Sequence, residues 1–196
     1  MRTRKKFGLI CMVLGVLLVV AAILLLVYNR WENDRAGESA AEIQSTLAEI
    51  IAENTAEYRE LDAGMDTVEI DGNAYIGMLT IPSLDLELPI LAEWSTAGLK
   101  IAPGRYYGSV WTDDLVICGH NYTRHFGNLN CMERGEALYF TDVHGTIFYY
   151  EVEEVVVLQP TDVEEMVNQS EEWDLTLFTC TMSGQARVTV RCSRTD

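Results

Sequence analysis

Positive charge is scarce over most of this chain. Beyond residue 30 the only lysine is Lys100, and nine basic residues stand against 30 acidic ones, so residues 31–196 carry a net formal charge of −21. A surface of this sign repels polyanions, which argues against a protein that binds nucleic acid. The acidity is typical of a solvated, soluble domain. It also leaves open the attraction of a cationic amine substrate, which would weaken with salt.

The ligand spacings of a structural metal site are missing as well. The chain has three histidines and five cysteines, but no two cysteines are separated by two residues. Cys118 and His120 are two positions apart, which does not match the usual zinc spacings, although His125 and Cys131 follow them. No acidic cluster has a convincing calcium-ligand pattern. We therefore expect no metal and no other cofactor.

The N-terminal segment has the composition of a membrane anchor. Four basic residues among the first six precede an apolar run from Phe7 to Tyr28, which contains no charged residue and is 22 residues long. Such a run can span a bilayer core of about 30 Å, and it is longer than the apolar region of a cleaved signal peptide. The basic residues place the N-terminus in the cytoplasm and the remainder outside.

Helical spacing of apolar residues follows the anchor. It predicts a helix over residues 33–62, with Ser39 as N-cap, Glu42 as its capping-box partner and Gly64 as the stop. The apolar positions are Ala40, Ile43, Leu47, Ile50 and Ile51. This helix is interpreted either as a stalk or as an element that packs on the following domain or on another copy.

From Thr67 onward the pattern changes to short β segments separated by turns. About seven or eight strands at this spacing predict a β-sandwich or a β-barrel, with one short helix over residues 161–167. The clearest strands are 115–118, 137–141, 146–158, 175–180 and 187–192.

The last two strands carry a possible nucleophile. Cys180 ends one strand and Arg187 begins the next, and a short turn containing Ser183 and Gly184 joins them. A thiol needs a nearby positive charge to ionise near neutral pH, and a guanidinium also offers donors to an oxyanion. Of the three histidines, His120 ends the apolar run 115–119 and is the best placed to act as the base. Judged from the residues alone, a buried core cysteine remains the stronger interpretation of Cys180.

These motifs resemble the sortase family. The resemblance covers roughly Tyr75 to the C-terminus. Within the family, the sequence looks closest to the class B and class D sortases. It is carried by Leu177-Phe178-Thr179-Cys180 with Arg187-Val188-Thr189-Val190, by Gly119-His120-Asn121, by Gly77-Met78-Leu79-Thr80-Ile81-Pro82 with Pro89-Ile90, and by Pro103-Gly104-Arg105-Tyr106-Tyr107-Gly108.

The resemblance implies a mostly β fold, a closed sortase-type barrel of about seven or eight strands with short helices. The expected organisation is a cytoplasmic basic tail (1–6), a transmembrane anchor (7–28), a helical stalk or linker (29–66) and the catalytic barrel (67–196). Cys180, His120 and Arg187 are then the catalytic residues. Thr179, Asn121 and His125 are expected to contact the substrate.

The implied function is that of a membrane-anchored extracytoplasmic cysteine transpeptidase on a Gram-positive-type cell surface. It would cleave a C-terminal Leu-Pro-x-Thr-Gly-like sorting signal through a Cys180 thioester and transfer the protein to an amine of a cell-wall precursor or a pilin. The membrane is engaged through the N-terminal helix, and no nucleic acid is involved.

Two other classes and one disulfide stay open at this point. The chain could be another extracytoplasmic cysteine hydrolase or wall transpeptidase, although an L,D-transpeptidase usually has its histidine beside its cysteine. It could also be a non-catalytic, membrane-anchored β-domain with buried cysteines, in which Cys180 would not react with thiol reagents. Spacing permits a bridge between Cys118 and Cys131 without supporting it. Cys192 lies in an apolar strand and is interpreted as a core residue.

Overall fold

The computed structural model describes residues 2–54, 65–167 and 173–195. The chain divides into two compact units, residues 1–35 and residues 36–196. Each unit is described by itself below.

A single long helix, α1, runs over Arg2–Asn54. In the first unit its apolar side chains from Met12 to Tyr28 are exposed. Among the described residues, this is the one helix long and apolar enough to cross a membrane by length and composition. The predicted start at Ser39 is wrong, because nothing between the apolar run and that residue breaks the helix. Gly64, the predicted stop, lies outside the described residues.

The second unit is built mainly from nine strands and has little helix. The strands are β1 (Val68–Ile70), β2 (Asn73–Ile81), β3 (Leu86–Leu91), β4 (Gly104–Tyr107), β5 (Leu115–Gly119), β6 (Ala137–Asp142), β7 (Ile147–Leu158), β8 (Leu175–Cys180) and β9 (Arg187–Arg194). Single turns of 3₁₀-helix lie at Pro82–Leu84, Gly98–Lys100 and Leu129–Cys131, and the short helix α2 spans Val163–Val167.

Eight of these strands close into a barrel. Neighbouring strands follow the order β2-β3-β4-β5-β8-β9-β7-β6, and a further pairing of β6 with β2 joins the ends. Strand β1 adds to β2 as a hairpin, whose turn residues Asp71 and Gly72 both have positive φ values, 49° and 75°. Such a two-residue turn matches the twist of the strands it connects. The expectation of a mostly β, closed barrel is therefore confirmed.

The barrel interior is filled by apolar side chains that alternate with outward-facing ones along each strand. Every strand from β2 to β9 except β4 contributes to this main core. Its fully enclosed aromatic residues are Phe126, Phe140, Phe148 and Tyr150, each at most 1% exposed. The core holds β5, β8 and β9 rigidly side by side, which fixes the ends at which the predicted site residues lie.

Residues 36–54 of α1 pack against the barrel wall. Ile43, Leu47 and Ile51 lie one helical turn apart or nearly so and are buried against Tyr75 and Met78 of β2. The same apolar cluster includes Ile70, Leu91, Ala102 and Val143. Asn54 adds a hydrogen bond of 3.1 Å from its Nδ2 to the Val143 carbonyl. Of the two interpretations of this helix, packing on the following domain describes residues 36–54, whereas residues 55–64 lie outside the described residues.

Candidate active site

The site lies where β5, β8 and β9 end together. Strands β5 and β8 run parallel, and Gly119 pairs with Thr179. The next residues, His120 and Cys180, therefore lie side by side at the same end of the two strands. Strands β8 and β9 run antiparallel, and Cys180 pairs directly with Arg187. The register thus brings all three predicted catalytic residues into one row across the outer face of the sheet.

Cys180 occupies the end of β8 and is partly exposed. The turn that follows is closed by backbone hydrogen bonds from Thr181 N–H to the Ala186 carbonyl (2.9 Å) and from Gly184 N–H to the Thr181 carbonyl (2.8 Å). Because this turn is short and hydrogen-bonded, the facing positions of Cys180 and Arg187 are fixed by covalent and backbone geometry.

Arg187 is only lightly engaged by its surroundings. Its Nη1 donates to the carbonyls of Ala186 (3.2 Å) and Gly184 (3.4 Å), both in its own turn. Within the described ranges no carboxylate forms an ion pair with it. The guanidinium can therefore turn towards a new acceptor without breaking a salt bridge.

Arg191, four residues along the same strand, is held by contacts elsewhere. Its Nη1 lies 2.6 Å from Glu154 Oε1, its Nη2 donates to the Glu165 carbonyl at 3.1 Å, and its guanidinium lies over the Trp173 ring at 5.7 Å. These contacts assign Arg191 to holding β9, β7 and the segment around α2 together. They favour Arg187 as the arginine available beside Cys180.

His120 is the first residue after β5 and is partly buried. Its ring centroid lies 4.9 Å from that of Tyr122, with the planes tilted by 45°. Its backbone carbonyl accepts a hydrogen bond of 3.2 Å from Phe126 N–H. Directly below, the Phe126 ring packs on Gly119, where a Cβ would come within 2.7 Å of ring carbon Cδ2. The position of His120 is therefore set by a tightly packed turn.

Two of the residues expected to contact substrate point away from solvent. Thr179 is 3% exposed, and its hydroxyl donates to the Gly119 carbonyl at 2.9 Å, which ties the ends of β5 and β8 together. His125 is completely buried in the turn after His120. Neither offers a surface to a substrate in this structure. Asn121, next to His120, is partly exposed at the site.

An apolar patch lies on the outer face just below the row of site residues. The patch contains Cys118, Phe178 and Val156, each of which is buried or partly buried. On their strands they lie two positions before His120, Cys180 and Leu158. The patch also includes Val116 and Leu158, and the side chains of Leu99, Tyr106 and Val167 pack on it. Tyr106 meets Phe178 edge to face at 5.2 Å. Alternation could not reveal this patch, because both faces of β5 and β8 are apolar in sequence.

Two of the other cysteines, Cys118 and Cys192, are buried. Burial, more than the nearby Cys180, raises the pKa of the Cys118 thiol to about 12, and its Sγ lies 3.5 Å from the Gly104 carbonyl. Burial likewise raises the pKa of Cys192. Cys118 and the exposed Cys131 are both free thiols, so no bridge joins them. Among the residues that the structure describes, no three metal-ligating side chains cluster together.

Comparison with known proteins agrees with this geometry. The family model of the sortase domain matches residues 79–195. Sortase D of Bacillus subtilis is 31% identical over 107 residues, which are 53% of each chain, so the chain spans about half the length of this curated relative.

Solved structures show the same fold. Sortase C1 from Streptococcus suis is similar with a TM-score of 0.53 and 28% identity, over 62% of this chain and 73% of that one. Sortase C from Streptococcus pneumoniae has a TM-score of 0.60 and 23% identity, over 81% of this chain and 97% of that one, and its structure is described in terms of catalysis and pilin substrate specificity. With the matched domain covering more than half of the sequence, and with its motifs gathered at one end of a closed barrel, this chain belongs to the sortase family.

Proposed function

We propose that the chain is a cysteine transpeptidase that acts on protein sorting signals, with Cys180 as nucleophile, His120 as acid and base, and Arg187 as the oxyanion donor. The observation that carries the proposal is the row formed by these three residues. Cys180 and Arg187 are cross-strand partners, and His120 follows the residue that pairs with Thr179. Family membership supports the same chemistry.

The first half of the reaction is acylation. The Cys180 thiolate attacks a backbone carbonyl carbon of the signal, and the oxygen becomes an oxyanion that accepts hydrogen bonds from Arg187. The carbon–nitrogen bond then breaks, and His120 gives its proton to the departing amine. The products are a thioester on Cys180 and the free downstream peptide.

The second half is transfer to an amine. The incoming amine attacks the thioester carbon, His120 takes the proton that the amine loses, and the carbon–sulfur bond breaks to return the Cys180 thiolate. The result is a new amide bond and the starting enzyme. A Leu-Pro-x-Thr-Gly-like signal and an amine of a cell-wall precursor or a pilin are the substrates implied by the family. The pilin substrate specificity described for Streptococcus pneumoniae sortase C supports pilins as a class of substrate.

Arg187 suits this role because it would lose only weak hydrogen bonds on binding substrate. Its present partners are two weakly held carbonyls of its own turn. A guanidinium with five fixed donors can exchange these contacts for a substrate carbonyl with little electrostatic cost. Arg191 would have to leave Glu154, at 2.6 Å, to do the same.

The same proposal includes a membrane location. The apolar part of α1, residues 7–28, would anchor the protein with residues 1–6 in the cytoplasm and the barrel outside, as the basic N-terminal residues indicate. We keep 67–196 as the catalytic domain and 29–66 as the linking segment. Within that segment, residues 36–54 belong structurally to the barrel unit.

The test uses the full-length chain in non-ionic micelles and a panel of fluorogenic pentapeptide sorting signals, with and without an added amine. We expect cleavage by the wild type, joining of the product to the amine, and a thioester adduct on Cys180 by mass spectrometry. Cys180→Ala is expected to abolish all three. Cys131→Ala removes an exposed free thiol and serves as the matched control that keeps activity.

Two results would contradict the proposal. Full transpeptidation by Cys180→Ala would exclude the thioester scheme. Silence across the panel, with Cys180 also inert to alkylation in the folded protein, would favour a non-catalytic binding domain.

Replacing Arg187 by Ala is expected to lower kcat by about 10²–10³-fold, the usual cost of removing an oxyanion donor.

A further inference from the structure

The turn that carries His120 holds three neighbouring rings. The Tyr122 ring centroid lies 4.9 Å from that of His120 and 5.6 Å from that of His125, with the planes tilted by 45° and 58°. The Tyr122 carbonyl accepts hydrogen bonds from His125 N–H (2.9 Å) and Gly127 N–H (2.8 Å). A displacement of His125 must therefore move Tyr122, and Tyr122 is in contact with His120.

His125 is held in the interior as a neutral ring. It is fully buried, and burial lowers the pKa of its imidazole to about 4. The nearby His120 lowers that pKa further. Among the described residues neither ring nitrogen of His125 has a hydrogen-bond partner, so packing holds the ring in place.

Helix α1 approaches the same turn. Ala36, at the start of the packed part of this helix, is 2% exposed. At the next residue, Gly37, the helix lies so close to Arg124 that a Cβ would come within 2.7 Å of Cγ and 3.0 Å of Cδ. The helix thus lies against the turn at Arg124, and a side chain at position 37 would have to displace this residue.

We propose that Tyr122 and His125 are positioning residues, which fix the ring of His120 beside Cys180 by transmitting the seating of α1 at Ala36 and Gly37. The inference rests on the proposed function of His120 and adds a dependence of that function on the helix. Docking of residues 36–37 on the turn then sets the catalytic geometry, and a helix seated less closely leaves the nucleophile with a misplaced acid.

The decisive variant is Gly37→Ala in the full-length chain in micelles. Alanine favours a helix over glycine, so the substitution stabilises α1 while it pushes Arg124 away. We expect kcat for peptide cleavage to fall about 10- to 100-fold, which is the cost of a misplacement of about 1 Å, with KM unchanged. Arg124→Ala alone is the matched control, because Arg124 contacts neither Cys180 nor substrate in the proposal. The double variant Gly37→Ala/Arg124→Ala removes the clash and is expected to regain most of the kcat.

A spectroscopic readout separates this inference from the proposed function. The chain has three histidines, so the ring signals of His120, His125 and His144 can be followed by NMR in ¹³C-histidine-labelled protein. We expect Gly37→Ala and Tyr122→Leu to move the His120 and His125 signals and to leave the His144 signal in place, and the double variant to return them.

The outcomes are distinguishable. Unchanged His120 signals and unchanged kcat in Gly37→Ala overturn the positioning inference even when the wild type is an active, Cys180-dependent enzyme. A wild type without activity, in which Cys180 is also inert to alkylation, overturns the proposed function, and the NMR shifts still decide whether α1 positions His120. If Gly37→Ala lowers the melting temperature, Tyr122→Leu provides the same test from inside the turn.

Discussion

Acidification is expected to destabilise the barrel unit through His125. An unfolded histidine titrates near pH 6.5, whereas burial lowers the pKa of folded His125 to about 4. Between these values the unfolded chain binds one more proton at this position than the folded chain. The free energy of unfolding therefore falls as the pH drops through this window, and the loss is complete near pH 4.

The magnitude follows from the separation of the two pKa values. In the middle of the window the slope approaches about 1.4 kcal/mol per pH unit. Lowering the pH from 7 to 5 should remove about 2 kcal/mol from the free energy of unfolding through this one residue. For a domain of marginal stability this is a large fraction of the total.

The assay is urea unfolding of the full-length chain in non-ionic micelles, followed by tryptophan fluorescence at several pH values from 7.5 to 5. His125→Gln is the comparison, because glutamine is neutral throughout and of similar size. Carboxylates and other histidines contribute equally to both proteins, so the difference between their pH dependences isolates His125. If the two curves of unfolding free energy against pH run parallel, then His125 is not held neutral by burial and the reasoning is refuted.

Three further predictions concern the neighbourhood of the site. Gly119→Ala places a Cβ within 2.7 Å of the Phe126 ring, so we expect overpacking to lower the free energy of unfolding by about 1–3 kcal/mol. Denaturant unfolding measures this loss, and an unchanged midpoint would show that the ring can move aside. Thr179→Val removes the buried hydrogen bond to the Gly119 carbonyl and should lower the free energy of unfolding by about 1–3 kcal/mol. Thr179→Ser keeps the hydroxyl and should lose much less, and equal losses in both variants would assign the effect to packing. Cys118, whose thiol pKa burial raises to about 12, should stay unmodified by iodoacetamide at pH 8 until the protein is unfolded, as peptide mass spectrometry will show; modification in the folded state would mean that the outer face opens.

The sequence predicted best those features that depend on near neighbours. The strand predicted over residues 175–180 has the same bounds in the structure, Leu175–Cys180, and the turn after it leads directly into β9 at Arg187. Local alternation and turn residues suffice for such a hairpin.

Features that depend on distant partners could not be read in this way. The parallel pairing of β5 with β8 brings His120 to Cys180, and only the family resemblance indicated it. The burial of His125 follows from α1 packing over a turn more than 80 residues away in sequence, so a polar residue in a loop was expected to face the cleft. Ser39 was interpreted as an N-cap because the capping-box pattern considers only a few neighbouring residues. That pattern does not take into account a helix that already runs from the N-terminal side.

Strand order also dictates when the site can exist. Gly119 and Thr179 are 60 residues apart, and the barrel cannot close between β8 and β7 until β9 has been added. In N-to-C synthesis the proposed base is therefore made before the proposed nucleophile, and the proposed arginine follows both; contacts of such long sequence separation form slowly. A fragment that ends between Cys180 and Arg187 would contain the proposed nucleophile and base but would lack β9, and with it the strand that closes the barrel.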